Sequence, residues 1–432
     1  MTDHITIAKN ILFKNRLHDY TVPSRNLYKH QWSWDSGWII YGLNKINKTE
    51  YSEKEIEHLF FHQWNNGLIP SIVFNLSDID YYPGPNVWRV NEFAKNLTLK
   101  SNSTGIIQPP IHAAACLDIY KTNKNLKFLE NIFPKLVLWH KYLYSERDPY
   151  NEGLVYIRHP WESGMDNSPL WDESLNRIKI TEFIYSKDRI DNKKVNVNER
   201  PTDLTYERYI SLIEIFKKCN YDEKKILCNT EFAIQDVLFN SLLLKSNYAL
   251  YEICNILKKD IDSITVNNWI NITKNAINNK LYKNDFYYDY DIIKNKYINL
   301  KTITGLSPII FLNCQKKDQL ISILKNNFLD IKNNNYSISS IDRSNSNFDE
   351  INYWRGPTWV NLTWLLLSGL KDYDNELYHK IKNNIIQKIE NIGFFEYFNS
   401  NDLKNLSTSG IGDNFFSWTA ALYICLVSDK EF

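Results

Sequence analysis

The segment His159 to Asp172, HPWESGMDNSPLWD, sets three carboxylates, Glu162, Asp166 and Asp172, among Trp161, Met165 and Trp171. Carboxylates ordinarily stay in water and indoles do not. An acid enclosed by apolar side chains loses hydration, which disfavours its charged form. A carboxyl that keeps its proton near neutral pH can serve as a general acid. Gly164 and Pro169 bracket Asp166 and suggest a fixed path for the chain around it. Asp166 is therefore the preferred proton donor. The plain alternative is a connecting loop whose tryptophans pack in the core and whose acids face solvent.

A proton donor alone does not hydrolyse a glycosidic bond. Hydrolysis by inversion needs a second carboxylate as base, about 6.5–9.5 Å away, so that a water fits between. Glu396 in GFFEYFNS is the best candidate, because STSGIGDNFFSW follows it and two aromatic clusters flank it. A glutamate ending a helix beside core aromatics is the competing reading. Glu162 precedes Asp166 by four residues and on a helix would share its face. Gly164 favours a turn instead, which leaves Glu162 as a loop-fixing acceptor or a sugar-hydroxyl contact. Asp172 falls at the start of the next segment.

Asp35 in HQWSWDSGW can anchor sugar hydroxyls or cap a helix. Gln108 in STGIIQPP suits hydroxyl or carboxylate hydrogen bonds, or merely precedes a helix. NYWRGPTW supplies Tyr353, Trp354, Arg355 and Trp359, and Arg355 can clamp an anion or pin a helix end.

Other chemistries find little support. There is no phosphate-binding Gly-rich loop, dinucleotide fingerprint, HExxH or GxSxG. Nine histidines are too dispersed for a metal site, so neither metal nor cofactor is expected. His112 and His159 are the only acid/base candidates for an epimerase-type reaction. The net charge of +1 gives no electrostatic case for nucleic acid or an anionic membrane. Six scattered cysteines without CxxC spacing read as small buried hydrophobes. MTDHITIAKN carries no secretory pattern, and the longest apolar run, WTAALYICLV, is shorter than the about 20 residues of a membrane span. A cytoplasmic protein is expected. Aromatics are in surplus, with 13 Trp, 28 Tyr and 21 Phe, as core filler or as a sugar-stacking wall.

These residues need elements to hold them. Helical periodicity dominates, from the segment beginning at Thr104 to FSWTAALYICLV, with spacing i, i+3, i+4, i+7. Short loops rich in Pro, Gly, Asn and Asp separate the helices. GLVYI and GLIPSIVF are candidate short strands. About a dozen helices without a linker predict one all-α domain over residues 1–432. The aromatic and polar clusters precede alternate helices, which predicts an (α/α)6 barrel gathering them at one mouth. The polar stretch 175–201 reads as a lid-like excursion over that mouth.

Taken together, WSWDSGW, NGLIPSIVF, STGIIQPP, RDPYNEGLVYIRHPWESGMDNSP, RPTDLTYERY, YWRGPTWVNLTWLL and FFEYFNSNDLKNLSTSGIGDNFFSWTAAL resemble glycoside hydrolase family 63, in its mannosylglycerate hydrolase branch. The match runs from about Gln31 to about Leu422. The resemblance implies an inverting α-glycosidase on an (α/α)6 barrel, with Asp166 as acid, Glu396 as base and no required metal. It implies that Asp35 and the tryptophans, Trp34 and Trp161 among them, hold the glycone, and Tyr28, Glu162 and Gly164 are further candidate substrate contacts. Tyr353, Trp354 and Trp359 would line the pocket, and Gln108, Arg200 and Tyr206 would approach a small acidic aglycone. The substrate expected is a small α-glycoside such as mannosylglycerate or glucosylglycerate. A trehalase-type α-glucosidase and a non-catalytic sugar-binding barrel are the alternatives. No nucleic acid or membrane partner is expected, and a homo-oligomer is compatible with the sequence.

Overall fold

A helix that is apolar on every side has to be enclosed, whereas a one-sided helix can face water. Both kinds occur here, and their sorting sets the architecture. In the computed structural model the described residues are 3–78, 81–97, 101–180, 200–311, 314–401, 409–430 and 432. The longer helices are α1 (His4–Asn15), α2 (Ser33–Lys45), α3 (Thr49–Phe61), α4 (His112–Asn123), α5 (Leu126–Glu146), α6 (Asp203–Lys218), α7 (Glu223–Asn229), α8 (Val237–Ile256), α9 (Asp260–Ala276), α10 (Cys314–Ile323), α11 (Val360–Leu370), α12 (Asn375–Ile392) and α13 (Ser417–Val427).

Three helices are enclosed almost completely. In α2 only Lys45 escapes burial, in α11 only Ser368, and in α13 only Val427. The one-sided pattern expected for α11 and α13 is thus replaced by burial all round, because both stand in the inner layer. That layer closes on itself. α2 packs on α4, α4 on α8, α8 on the 3-10 segment Ile303–Ile310, that segment on α11, α11 on α13, and α13 on α2. A second layer backs the first: α1 lies on α13, α3 on α2, α5 on α4, α9 on α8, α10 on Ile303–Ile310, and α12 on α11. The inner element Ile303–Ile310 was not foreseen, and it contains Gly305 and Pro308, residue types that ordinarily interrupt helices.

Strands are two residues long. β1 (Gln31–Trp32) pairs with β2 (Ile72–Val73), the latter within the expected GLIPSIVF. β3 (Ile234–Gln235), β6 (Tyr290–Asp291) and β7 (Lys296–Tyr297) form one small sheet. β4 (Tyr282–Lys283) pairs with β5 (Phe286–Tyr287), and β8 (Tyr397–Phe398) with β9 (Gly410–Ile411). GLVYI forms no hairpin of its own; Ile157 makes a single bridge to Ile234. Cys116, Cys219, Cys254 and Cys425 are buried and unpaired, as small hydrophobes would be, while Cys228 is exposed. No helix among the described residues is long and apolar enough to cross a membrane. The excursion expected at 175–201 falls for the most part on residues 181–199, which lie outside the described residues.

The start of α8 carries two buried carboxylates. Asp236 caps the helix by accepting from Phe239 N, and Asp289 accepts from Val237 N at 2.6 Å. Burial, and for Asp236 also the neighbouring Asp289, pushes both carboxyls up, Asp289 to about 7. A carboxyl raised in the folded state binds its proton longer than in the unfolded chain. Its stabilising share is full below the unfolded value near 4 and is lost as pH rises through about 7. Each such group lowers stability by up to about 1.4 kcal/mol per pH unit across that window. Asp289→Asn should flatten the fall. Thermal midpoints at pH 5 and pH 8 check this, and an undiminished drop in the variant would contradict it.

Candidate active site

The tight segment around Asp166 is built by local rules. His159 caps the 3-10 turn Pro160–Ser163, its Nδ1 accepting from Trp161 N at 3.1 Å. Gly164 ends that turn in the left-handed region with φ of +74°, and a Cβ there would sit 3.2 Å from the Trp34 ring. Met165 N donates to Ser163 Oγ at 2.8 Å, and Trp171 Nε1 donates to Met165 O at 2.7 Å. The Tyr209 hydroxyl donates to Asp166 O, and Asn167 Nδ2 donates to Asn352 Oδ1 at 3.2 Å. Asp166 therefore stands half-buried on a main chain fixed from both sides. Met165 and Trp171 are fully buried behind it, and Trp161 faces the cavity in front.

Glu396 comes from the opposite side. α12 ends at Ile392, and Gly393 turns the chain before β8. Glu396 N donates to Asp413 O at 2.9 Å, and Glu396 O accepts from Trp418 Nε1 at 3.1 Å. Its carboxylate is 2% exposed and receives three donors. Arg200 NH2 donates to Oε2 at 3.0 Å, Tyr28 OH to Oε1 at 3.1 Å, and Tyr353 OH to Oε1 at 3.3 Å. Burial pushes the Glu396 carboxyl above its ordinary value, and Arg200 and Tyr28 pull it back only in part. Burial also raises the Tyr28 and Tyr353 phenols far above theirs, so both remain protonated donors. Gly412, at φ of +75°, lies directly against this carboxylate, and a Cβ there would overlap Oε2. The backbone of Tyr353 is strained at φ of +35°, a conformation that persists only where surroundings enforce it. The enforcing frame is a stack of Trp354 on Trp359, centroids 3.6 Å apart, with Trp359 also stacked on Tyr397.

Asp166 and Glu396 line one cavity. Its wall also includes Tyr28, Trp34, Asp35, Gln108, Trp161 and Gly164. Arg200, Tyr206, Tyr353, Trp354 and Trp359 complete the sequence-derived set. Asp35 lies in the first turn of α2 but does not cap it, and burial, then Glu396, raises its carboxyl well above the ordinary value. Gln108 spends Oε1 on Trp34 N at 3.0 Å, which leaves its amide nitrogen as the group to offer the cavity. Tyr206 donates to Tyr82 O at 3.0 Å. Wall residues not singled out from sequence include Trp32, Tyr81, Tyr82, Trp88, Phe416 and Trp418. All six sit inside the aromatic clusters that precede the helices, and clustering was the signal that could have named them.

Glu162 does not line the cavity. It sits in a buried square with Arg147, Arg158 and Glu223, all at most 2% exposed. Its oxygens take the Arg147 guanidinium, Arg158 N at 2.7 Å and Ile107 N at 3.1 Å. Of the two readings left open, the placement supports the loop-fixing acceptor over the sugar contact. Burial alone would raise this carboxyl, but Arg147 and Arg158 outweigh it and hold the pKa below the ordinary value. The square joins the Asp166 segment to the loop bearing Gln108, through Ile107 N on Glu162 and Arg158 NH2 on Gly105 O. Breaking a buried pair strands its partner charges at a cost of about 3–5 kcal/mol. Glu162→Gln should therefore lower unfolding stability by about 3 kcal/mol in urea titrations. A loss below about 1 kcal/mol would mean that the square is not the brace of this wall.

The remaining candidates turn out structural. Arg355 NH1 donates to Asp172 Oδ2 at 2.9 Å, pinning the start of the short helix Asp172–Asn176. His159 Nε2 donates to Tyr209 O at 3.1 Å, and burial drives its pKa down to about 3. His112 meets Ser33 Oγ at 2.8 Å and is driven by burial to about 4. Neither histidine borders the cavity, which removes the acid and base of an epimerase-type reaction.

Comparison with known proteins agrees with this picture. The chain is 36% identical over 443 aligned residues to a mannosylglycerate hydrolase of Rubrobacter radiotolerans, covering 98% of this chain and 97% of that one. It is 30% identical to a glucosylglycerate hydrolase of Mycolicibacterium hassiacum, covering 83% of each. The crystal structure of a family 63 mannosylglycerate hydrolase from Thermus thermophilus, in complex with Tris and D-glycerate, superposes with a TM-score of 0.88 at 33% identity, over 98% of this chain and 99% of that one. The family described as mannosylglycerate hydrolase MGH1-like glycoside hydrolase domain matches residues 28–419. The chain belongs to this family of glycoside hydrolases.

Proposed function

We propose that this enzyme hydrolyses a small α-hexosylglycerate, α-mannosylglycerate or α-glucosylglycerate, with inversion at the anomeric carbon. Asp166 gives its proton to the glycosidic oxygen as the bond to the anomeric carbon breaks. A water attacks that carbon from the opposite face, and Glu396 takes the water's proton. The products are the free hexose, first formed as the β-anomer, and glycerate. The observation that carries this reading is the meeting of Asp166 and Glu396 on one aromatic-walled cavity whose wall also holds Arg200. Burial raises Glu396, which makes it a stronger base than a free glutamate once ionised.

The glycone would sit among Asp35, Trp34, Trp161 and the Gly164 turn, where indole faces cover apolar sugar faces. Arg200, with Gln108 and Tyr206, suits the glycerate carboxylate. The names of the relatives support this substrate class. The closed inner layer and the backing outer layer support an (α/α)6 toroid, with the whole chain as one catalytic unit. The test is a hydrolysis panel of mannosylglycerate, glucosylglycerate, trehalose and kojibiose. Release of glycerate with hexose from the first two, and little turnover of the neutral disaccharides, is expected. Preferred cleavage of trehalose would overturn the substrate assignment.

A further inference from the structure

The segment RPTDLTYERY brings Tyr206 to the cavity wall, but its last residue, Tyr209, stands behind that wall in the second turn of α6. Tyr209 is fully buried and bonds the Asp166 segment at both ends. Its hydroxyl donates to Asp166 O, and its main-chain oxygen accepts from His159 Nε2 at 3.1 Å. His159 Nδ1 accepts from Trp161 N at 3.1 Å, so one neutral tautomer serves both bonds. Burial keeps that imidazole neutral. The Tyr209 ring packs on the Trp161 and His159 rings, with centroids 5.3 Å and 5.5 Å away.

A buried phenol needs an acceptor wherever it stands. Here the acceptor is the main chain of the proposed acid, and the same residue also holds the start of the turn that leads to it. The bond to Asp166 O fixes the point from which the carboxyl reaches the glycosidic oxygen. A misplacement of about 1 Å in a reacting group can cost about a hundredfold in rate. We infer that Tyr209 is a positioning residue for the general acid, clamping His159–Asp166 at both ends and setting where the Asp166 carboxyl meets the leaving oxygen. This rests on the assignment of Asp166 as proton donor. The clamp serves the step in which a proton is given, so its loss falls on kcat for leaving groups that need one and leaves KM nearly unchanged.

Tyr209→Phe tests this, since it removes the hydroxyl and keeps the ring that packs on Trp161 and His159. Two kinds of substrate are compared, a hexosylglycerate and α-mannosyl or α-glucosyl fluoride. With the fluoride the C–F bond breaks, fluoride leaves with its electron pair, and water adds to the anomeric carbon after giving a proton to Glu396. No proton from Asp166 is needed. Tyr209→Phe should lower kcat on the hexosylglycerate by about tenfold and change fluoride hydrolysis by less than about twofold. In the Asp166→Asn background the same substitution should cost nothing further, because a residue that acts through another is not additive with it. A merely structural role would lower both activities alike in either background. The inference is overturned if Tyr209→Phe loses both activities equally, keeps full turnover of the hexosylglycerate, or still costs tenfold beside Asp166→Asn. Any of these, with Asp166→Asn itself selective against the hexosylglycerate, would sink the inference alone. Equal losses on both substrates in Asp166→Asn, or no turnover of any hexosylglycerate by the wild-type chain, would sink the functional reading and the inference with it.

Discussion

Asp166→Asn should lower kcat for a hexosylglycerate by about a thousand-fold, within the range that general acid catalysis supplies. The asparagine fits the same space and keeps the backbone bonds that fix the segment, since these run through Asp166 O and its neighbours. The leaving glycerate oxygen is a strong base and needs a proton as it departs. Fluoride does not. The same variant should therefore lose far less activity on the glycosyl fluoride than on the glycerate. Equal losses on both would mean that Asp166 acts by some route other than proton donation. Unchanged thermal stability separates this chemistry from misfolding.

Glu396→Gln should be as damaging, about a thousand-fold, and should spare neither substrate, because both reactions need an activated water. The amide keeps two polar atoms for Arg200, Tyr28 and Tyr353 but cannot take a proton. Glu396→Ala opens space where the water is held. Added azide, a nucleophile that needs no deprotonation, should then restore turnover of the fluoride and yield the β-glycosyl azide. Absence of rescue, with a folded variant that still binds the hexose, would count against Glu396 as base. The pH profile carries a sign as well. Burial raises Glu396, so activity is present above its folded pKa and falls away as pH drops through it, at a higher pH than a free glutamate would give.

Much of the site could be read from the chain, for a physical reason. Its residues lie on short segments, HQWSWDSGW, STGIIQPP, HPWESGMDNSP and YWRGPTW, where turn residues and aromatics coincide, and such segments are set by local sequence. What could not be read was the traffic between them. Arg200 follows a polar stretch with no pattern, and nothing local says that it meets Glu396, 196 residues away. Glu162 could be read as a loop-fixing acceptor or a sugar contact, but nothing local says that Arg147 and Arg158 hold it behind the wall. Helix positions followed from periodicity, but periodicity does not say which layer a helix joins. In α11, every residue of WLLLSGL except Ser368 is buried, because Ile303–Ile310, α12 and α13 all pack on that helix. The aromatic surplus divides the same way. Trp38, Trp64, Trp139 and Trp364 fill the core, whereas Trp32, Trp34, Trp88 and Trp161 face the cavity.

The central claim is that two carboxylates act on opposite faces of the anomeric carbon with water between them. Proton NMR of the first hexose released from an α-hexosylglycerate, recorded before mutarotation, tests it directly. The account predicts the β-anomer at early times, decaying to the equilibrium mixture. An α-anomer appearing first would contradict it, since retention requires a covalent intermediate and a different use of Glu396.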